Sequence, residues 1–345
     1  MADIKKIGIL TGGGDCPGLN AVIRAVVFKA GEYGWQVLGV KYGWKGMLNA
    51  DAIPLTRNDV KDILPLGGTI LKTSRTNPYK VEGGEAKVLE NAKKMGIDCL
   101  VAVGGEDTLG VANKLTKAGL RCVGVPKTID NDLGATDYTF GYQTAVQIAS
   151  DAMDRLHTTA KSHDRVLVCE VMGRHAGWMT VDAGMSASAH WIYTPEAKGS
   201  VEDCCKMLKE RYARGDKYGI VAVAEGAEFS DLDVKAASQT TDSFGHVKLG
   251  GVAETLAKEI EKRTGLETRH VVLGHTQRGG SPLAYDRILG TRLGNKAAEM
   301  IKNGQFAMMA SLRGENVEAV PIEEAVKTLK TVPPQYYDVA KTFFG

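Results

Sequence analysis

The sequence predicts an α/β protein: two interleaved lobes built on mostly parallel sheets, flanked by helices, with a cleft between them. Three observations lead there. Short apolar runs of β type alternate with helix-type segments along the whole chain. The clusters of chemically active residues fall where a strand ends and the next helix begins, which is where ligands collect in open parallel sheets. With 345 residues, 43% of them apolar and 24% charged, the chain can form one large domain or two moderate ones around a substantial core.

In order, residues 6–11, 36–41, 99–103, 122–125, 165–171, 219–224 and 270–273 read as buried strands, because each is a short, nearly continuous apolar run. Residues 20–33, 86–94, 110–118, 143–159, 201–211, 252–263 and 285–302 read as helices. A change of role near residue 140 divides the chain into 1–140, with part of the C-terminal region, and 141–305. Residues 306–345 are expected to pack back on both. The polar, weakly periodic stretch 226–251 reads as a surface insertion, and Thr331-Val332-Pro333-Pro334 as the end of the last helical region.

Lysine and arginine total 43 against 41 acids, a net charge of +2, which argues against a nucleic-acid or membrane partner. Cysteines stand at 16, 99, 122, 169, 204 and 205 with no CxxC pair, and Cys99, Cys122 and Cys169 lie in strand-like runs. They read as buried free thiols of a reducing cytoplasm. The first residues lack the apolar region of a signal peptide, and no apolar stretch reaches membrane-spanning length. A cytoplasmic protein is expected.

The densest chemistry lies in Pro126-Lys127-Thr128-Ile129-Asp130-Asn131-Asp132. In an extended loop Asp130 and Asp132 project to the same side, and two such carboxylates suit a metal or a substrate proton between them. Lys127 offers a mobile cation for a phosphate. Gly104-Gly105-Glu106-Asp107-Thr108 adds two acids, of which Glu106 suits Mg²⁺, an ion that takes oxygen ligands and keeps several waters. Acids in the first turn of a helix are the plainer alternative. Together the clusters suggest phosphoryl transfer with a divalent cation.

Thr11-Gly12-Gly13-Gly14-Asp15-Cys16-Pro17-Gly18, between a strand and a helix, lets backbone N–H groups approach an anion, or makes a tight turn. It fits neither a Walker loop nor GxGxxG. Arg75, in Gly67–Thr76, suits phosphate oxygens or plain solvation. A last set suits a phosphorylated polyol: Ser162–Arg165, Met172-Gly173-Arg174-His175-Ala176-Gly177, Glu225, Arg269 and Gly274-His275-Thr276-Gln277-Arg278-Gly279-Gly280. Arginines would grip a distant phosphate while Glu225 takes sugar hydroxyls. Three histidines occur there, but without the spacing of a zinc site.

These motifs together resemble the 6-phosphofructokinase family, and within it the pyrophosphate-dependent, actinobacterial-like group. GGGDCPGLNAVIRA, GGTILKTSRTNPY, GGEDTLG, PKTIDNDL, MGRHAGW and GHTQRGGSP occur in the family's order. The resemblance implies a phosphofructokinase-like fold that phosphorylates fructose 6-phosphate at its 1-hydroxyl. It implies a donor and Mg²⁺ lobe at 1–140 and a sugar-phosphate lobe at 141–305. Asp130 would be the base, with Asp132, Lys127, Arg75 and Arg174 completing the catalytic set. Thr128, Asp130, Arg165, Met172, Gly173, Arg174, Glu225, Arg269, His275 and Arg278 would bind the sugar phosphate. Gly13 and Gly14 would contact the donor, Arg75 would bridge the transferring phosphate, and Glu106 would bind Mg²⁺. Arg165 and Arg269 reach across from a neighbouring subunit in the family, which implies a homodimer or homotetramer.

Two positions point to the donor. The family's ATP users have glycine after the metal-binding acid and usually before Thr-Ile-Asp-Asn-Asp, whereas this chain has Asp107 and Lys127. The metal-binding position itself is usually Asp and is Glu106 here. A carboxylate at Asp107 would meet the α-phosphate of ATP, and two anions about 4 Å apart repel by about 4 kcal/mol at an effective dielectric near 20. Diphosphate is the expected donor, with ATP the alternative.

Overall fold

The computed structural model describes residues 4–233 and 251–345, so most of the expected insertion at 226–251 lies outside the described residues. In chain order the strands are β1 (Lys6–Thr11), β2 (Gln36–Val40), β3 (Ala52–Leu55), β4 (Cys99–Gly104), β5 (Cys122–Pro126), β6 (Val166–Val171), β7 (Trp191–Tyr193), β8 (Gly219–Ala224), β9 (Thr268–Val272), β10 (Met308–Arg313) and β11 (Asn316–Pro321). The seven predicted strands are all present, within two residues at each end.

The chain forms two compact units. The first takes Met1–Ile129, Leu133–Thr144 and Arg278–Leu329; the second takes Asp130–Asp132, Ala145–Gln277 and Lys330–Gly345. In the first unit the sheet order is β11-β10-β5-β4-β1-β2-β3. It is parallel except where β3 runs against β2 and β11 against β10. The chain leaves β1 toward β2 and later returns on the other side as β4, so the ends of β1 and β4 form a topological switch point. The second sheet, β7-β8-β6-β9, is parallel throughout, with β6 between β8 and β9.

Residues of β4, β5, β6 and β8 are buried along their whole length, as expected for parallel strands covered on both faces. In the first unit Leu10, Leu100, Ala102, Leu109, Leu115 and Met309 share one apolar cluster. In the second, Val166, Val168, Val221, Val223, Leu208 and Leu256 share another. All six cysteines are buried free thiols. Among the described residues no helix is long and apolar enough to cross a membrane.

Strands missed by the sequence pattern have weak signals. β3 is four residues with Pro54 inside it, which only an edge strand tolerates. β7 has three residues, and β11 alternates in burial without a strongly apolar face. Thr331–Pro334 does not end the helical region, as expected, because Pro334 opens a further helix, Pro334–Lys341. Proline's fixed φ and missing N–H suit a first helical position.

Two packing devices hold the segments that matter below. The helix Leu19–Glu32, which follows the glycine loop, lies closely on Ala284–Lys302. A Cβ at Gly294 would come within 2.8 Å of Val22 O and of Ala25 Cβ. The 21-residue helix Tyr142–Ser162 has its start fixed by Asp286, whose carboxylate accepts from Gly141 N and Thr144 N at 2.8 Å and from Thr144 Oγ1 at 2.5 Å. Asp286 is fully buried, and desolvation pushes its carboxyl up from the ordinary value against those three donors. Asp286→Asn replaces one acceptor oxygen by a donor facing N–H groups. It should lower unfolding free energy by about 1–3 kcal/mol, read as a reduced midpoint in urea with an unchanged slope.

Candidate active site

The first unit gathers the glycine loop, the acids after β4 and Lys127 at the C-terminal ends of neighbouring strands. Gly12 N donates to Val103 O at 2.9 Å, so the loop leaves β1 pinned to the end of β4. A Cβ at Gly12 would come 2.5 Å from Thr108 Oγ1, and one at Gly104 would come 2.3 Å from Thr108 Cβ. Both glycines are therefore dictated by the buried Thr108. Gly13 has φ +80, donates to Ser74 O at 3.1 Å and accepts from Thr73 Oγ1 at 2.6 Å. The segment carrying Arg75 is thus tied to the loop, with Arg75 itself exposed.

Lys127 corrects the expectation of a mobile cation. It is 3% exposed, its N–H continues the β5–β4 pairing to Gly104 O, and its Nζ donates to Gly14 O at 2.5 Å. The ammonium also lies 3.4 Å from where a Cβ on Gly13 would sit. On the other side of the loop, Arg278 Nη1 donates to Asp15 O at 3.2 Å and stands 2.8 Å from the position of a Gly14 Cβ. Arg278 Nε is buried with no hydrogen-bond partner among the described residues. Arg278 was read as a sugar-phosphate residue; the structure sets it in the first unit, against the glycine loop.

Glu106 and Asp107 open the helix Glu106–Lys117, four residues earlier than its sequence pattern indicates. Gly105 precedes it with no side-chain cap, so the first N–H groups of the helix are left to other partners. Glu106 is exposed and Asp107 half-buried. A helix N-terminus beside a glycine loop is an anion site, and here a fixed negative charge already stands in its first turn.

The division between units runs through the acidic segment, after Ile129. Thr128 O accepts from Thr139 Oγ1 at 2.7 Å in the first unit. In the second, Asp130 is 9% exposed and Asp132 half-buried. The premise of an extended loop fails between them: Asn131 has φ +53, so the two-residue alternation that would aim both carboxylates alike does not apply.

At the C-terminal ends of β6 and β8 the second unit builds a tight turn around Glu225. Gly173 N and Arg174 N donate to its Oε1 at 3.3 and 3.0 Å. Gly173 has φ +144 and Arg174 φ +47. A Cβ on Gly226 would fall 1.8 Å from Arg174 O, so no other residue fits beneath the turn. Burial pushes the Glu225 carboxyl up, the two N–H donors pull it down, and the negative charge of Asp130 raises it again. Met172 N donates to Gln277 Oε1 at 3.4 Å, while Gln277 Nε2 donates to Gly274 O at 3.0 Å. Gln277 is fully buried; it sat unremarked inside the Gly274–Gly280 motif, and its place between two tight glycine turns was the available signal. His275 is exposed on the short turn Gly274–Arg278.

Arg165 and Arg269 are not brought to this end. They lie at the starts of β6 and β9, where both guanidiniums share Glu267 at 2.7 and 2.6 Å. The six residues of β6 separate them from Met172 by about 20 Å. Among the described residues no group of three or more His, Cys, Asp or Glu side chains could enclose a metal ion.

Gly226→Ala should destabilise the protein by about 1–3 kcal/mol through overpacking, read as a lower midpoint in urea unfolding.

The family model for phosphofructokinase matches residues 6–301. The chain is 54% identical over 341 residues to a pyrophosphate–fructose 6-phosphate 1-phosphotransferase of Amycolatopsis mediterranei, covering 99% of this chain and 100% of that one. It is 47% identical over 342 residues to an ATP-dependent 6-phosphofructokinase of Mycobacterium tuberculosis, covering 99% and 100%. Its fold superposes on a crystal structure of Pichia pastoris phosphofructokinase with a TM-score of 0.84 at 30% identity, covering 99% of this chain but only 37% of that longer one. With the family model matching most of its length, the chain belongs to the phosphofructokinase family.

Proposed function

We propose that this protein reversibly transfers a phosphoryl group from diphosphate to the 1-hydroxyl of fructose 6-phosphate, giving fructose 1,6-bisphosphate and phosphate. The observation that carries the choice of donor is Asp107, half-buried in the first turn of Glu106–Lys117 behind Gly104 and Gly105. A carboxylate fixed at that anion site repels the inner phosphate of a nucleotide by about 4 kcal/mol at about 4 Å and an effective dielectric near 20. Diphosphate has no such phosphate. The relative named as ATP-dependent supports the second reading, in which ATP is the donor.

In the proposed reaction Asp130 takes the proton of the 1-hydroxyl. The freed oxygen attacks the terminal phosphorus of diphosphate in line, the bridging P–O bond breaks, and orthophosphate leaves. Arg75 neutralises charge on the transferring group, and Lys127, through the carbonyl of Gly14, holds the glycine loop in place beside the donor. Arg278, with its buried unpaired Nε, offers a further donor to an anionic ligand. Asp132 steadies the acidic turn, and Thr128, Met172, Gly173, Arg174, Glu225 and His275 hold the sugar. Glu106 suits Mg²⁺: one exposed carboxylate without a protein cage matches an ion that keeps several waters and shares diphosphate oxygens. When bound, that ion supplies charge neutralisation on the donor.

Arg165 and Arg269 stand at the wrong end of β6 and β9 to serve the sugar held by the same chain. They support an assembly, dimer or tetramer, in which they complete a neighbour's site. Six buried free thiols suit a reducing, cytoplasmic setting.

Steady-state rates with diphosphate and with ATP test the donor; turnover with ATP and none with diphosphate would overturn it. Asp107→Gly should gain measurable ATP use while Lys127 keeps the loop in place. Asp130→Ser should cut kcat by about 10²–10⁴-fold while leaving fructose 6-phosphate binding intact. Mixing an Asp130→Ser chain with an Arg165→Ala/Arg269→Ala chain should restore part of the activity lost by each alone, if the arginines act across subunits.

A further inference from the structure

Residues 330–332 cross the second unit as a strap fastened on both sides. Lys330 N donates to Asp132 O at 2.8 Å, and Lys330 Nζ donates to Asn131 Oδ1 at 2.9 Å across 199 positions of sequence. One residue therefore grips both the backbone and a side chain of the acidic turn. Its other side is anchored to the helix Trp178–Ser186: Trp178 Nε1 donates to Lys330 O at 2.9 Å, and the Lys330 ammonium lies 5.6 Å from the centre of the Trp178 ring. Two residues on, Val332 N and Gly177 N both donate to Glu196 Oε1 at 2.9 Å, which locks the strap to the start of the same helix.

The turn needs such a hold. Asn131 is 2% exposed and carries φ +53, a conformation that Asn tolerates better than most residues but that still costs free energy. A backbone kept in a sparsely populated region persists when its surroundings fix it, and here the Lys330 ammonium holds the side chain of Asn131 while its N–H holds the carbonyl of Asp132. Released from them, the turn would be free to relax toward commoner dihedrals and carry Asp130 with it. A general base must lie within hydrogen-bond reach of the proton it removes, and a misplacement of about 1 Å can cost about 10² in rate.

We propose that Lys330 is a positioning residue for phosphoryl transfer: acting through Asn131 and Asp132, it holds the bent turn that sets the Asp130 carboxylate on the sugar hydroxyl. This rests on Asp130 being the base. Lys330 does its work on the rate of the chemical step, leaving the affinity for either substrate to the glycine loop and the Glu225 turn.

The test uses the full chain with diphosphate, fructose 6-phosphate and Mg²⁺. Lys330→Met keeps the length of the stem and the backbone N–H but loses the ammonium. It should lower kcat by about 10–100-fold with both KM values within about twofold of the parent. Lys330→Arg should recover most of the loss, since a guanidinium can donate to the same Oδ1. Asn131→Gly accepts the positive φ but removes the acceptor, and should reproduce the kcat loss. In an Asp130→Ser background Lys330→Met should cause no further fall, because the two act on one step. A kcat per folded molecule equal to the parent's in Lys330→Met would overturn the proposal, as would a loss expressed only in KM or no recovery with Arg. If Asp130→Ser itself turns over normally, the assignment of the base fails first; if only Lys330→Met does, the base stands and the strap does not.

Discussion

The buried ammonium of Lys127 is the constraint around which the glycine loop of the first unit is organised. A charged group at 3% exposure is expensive to remove from water and must be compensated where it sits. One compensation is the carbonyl of Gly14, which ties the end of β5 to the loop after β1. The loop is pinned on its other side as well, since the N–H groups of Gly12 and Gly13 donate to Val103 O and Ser74 O. The loop's glycines have separate causes: Thr108 occupies the space of a Gly12 Cβ, Arg278 that of a Gly14 Cβ, and Gly13 has φ +80.

The second unit solves a parallel problem with the signs reversed. There the buried group is a carboxylate, Glu225, and the compensation is a pair of backbone N–H groups from a turn with two successive positive φ values. Asp130 adds a second negative charge near it, which raises the Glu225 carboxyl further. Each unit therefore keeps polar groups out of water at a cost that its own backbone contacts offset.

In the proposed reading, donor choice follows from one side chain rather than from the fold. Relatives of similar sequence carry names that differ in the donor. In that reading Asp107, in the first turn of its helix, sets how long an anion is accepted. Lys127, grouped with Asp107 by its place in sequence, is better understood as part of the loop's framework.

How much was legible beforehand depended on the range of the interaction. The alternation of apolar runs with helical segments determined the α/β class, because buried parallel strands must be apolar on both faces. The glycine loop and the pair Glu106 and Asp107 stand out in the sequence because each is carried by neighbouring residues, whereas Glu225 meets the N–H groups of Gly173 and Arg174 only across 52 and 51 positions. The tertiary structure alone decided three further things: that Lys127 is buried rather than mobile, that Asn131 bends the acidic turn, and that Arg165 and Arg269 lie at the far end of β6 and β9 from the Glu225 turn. Each depends on what another stretch of chain brings alongside, Gly14 for Lys127, Lys330 for Asn131 and Glu267 for the two arginines. A linear pattern records the partners but not their meeting.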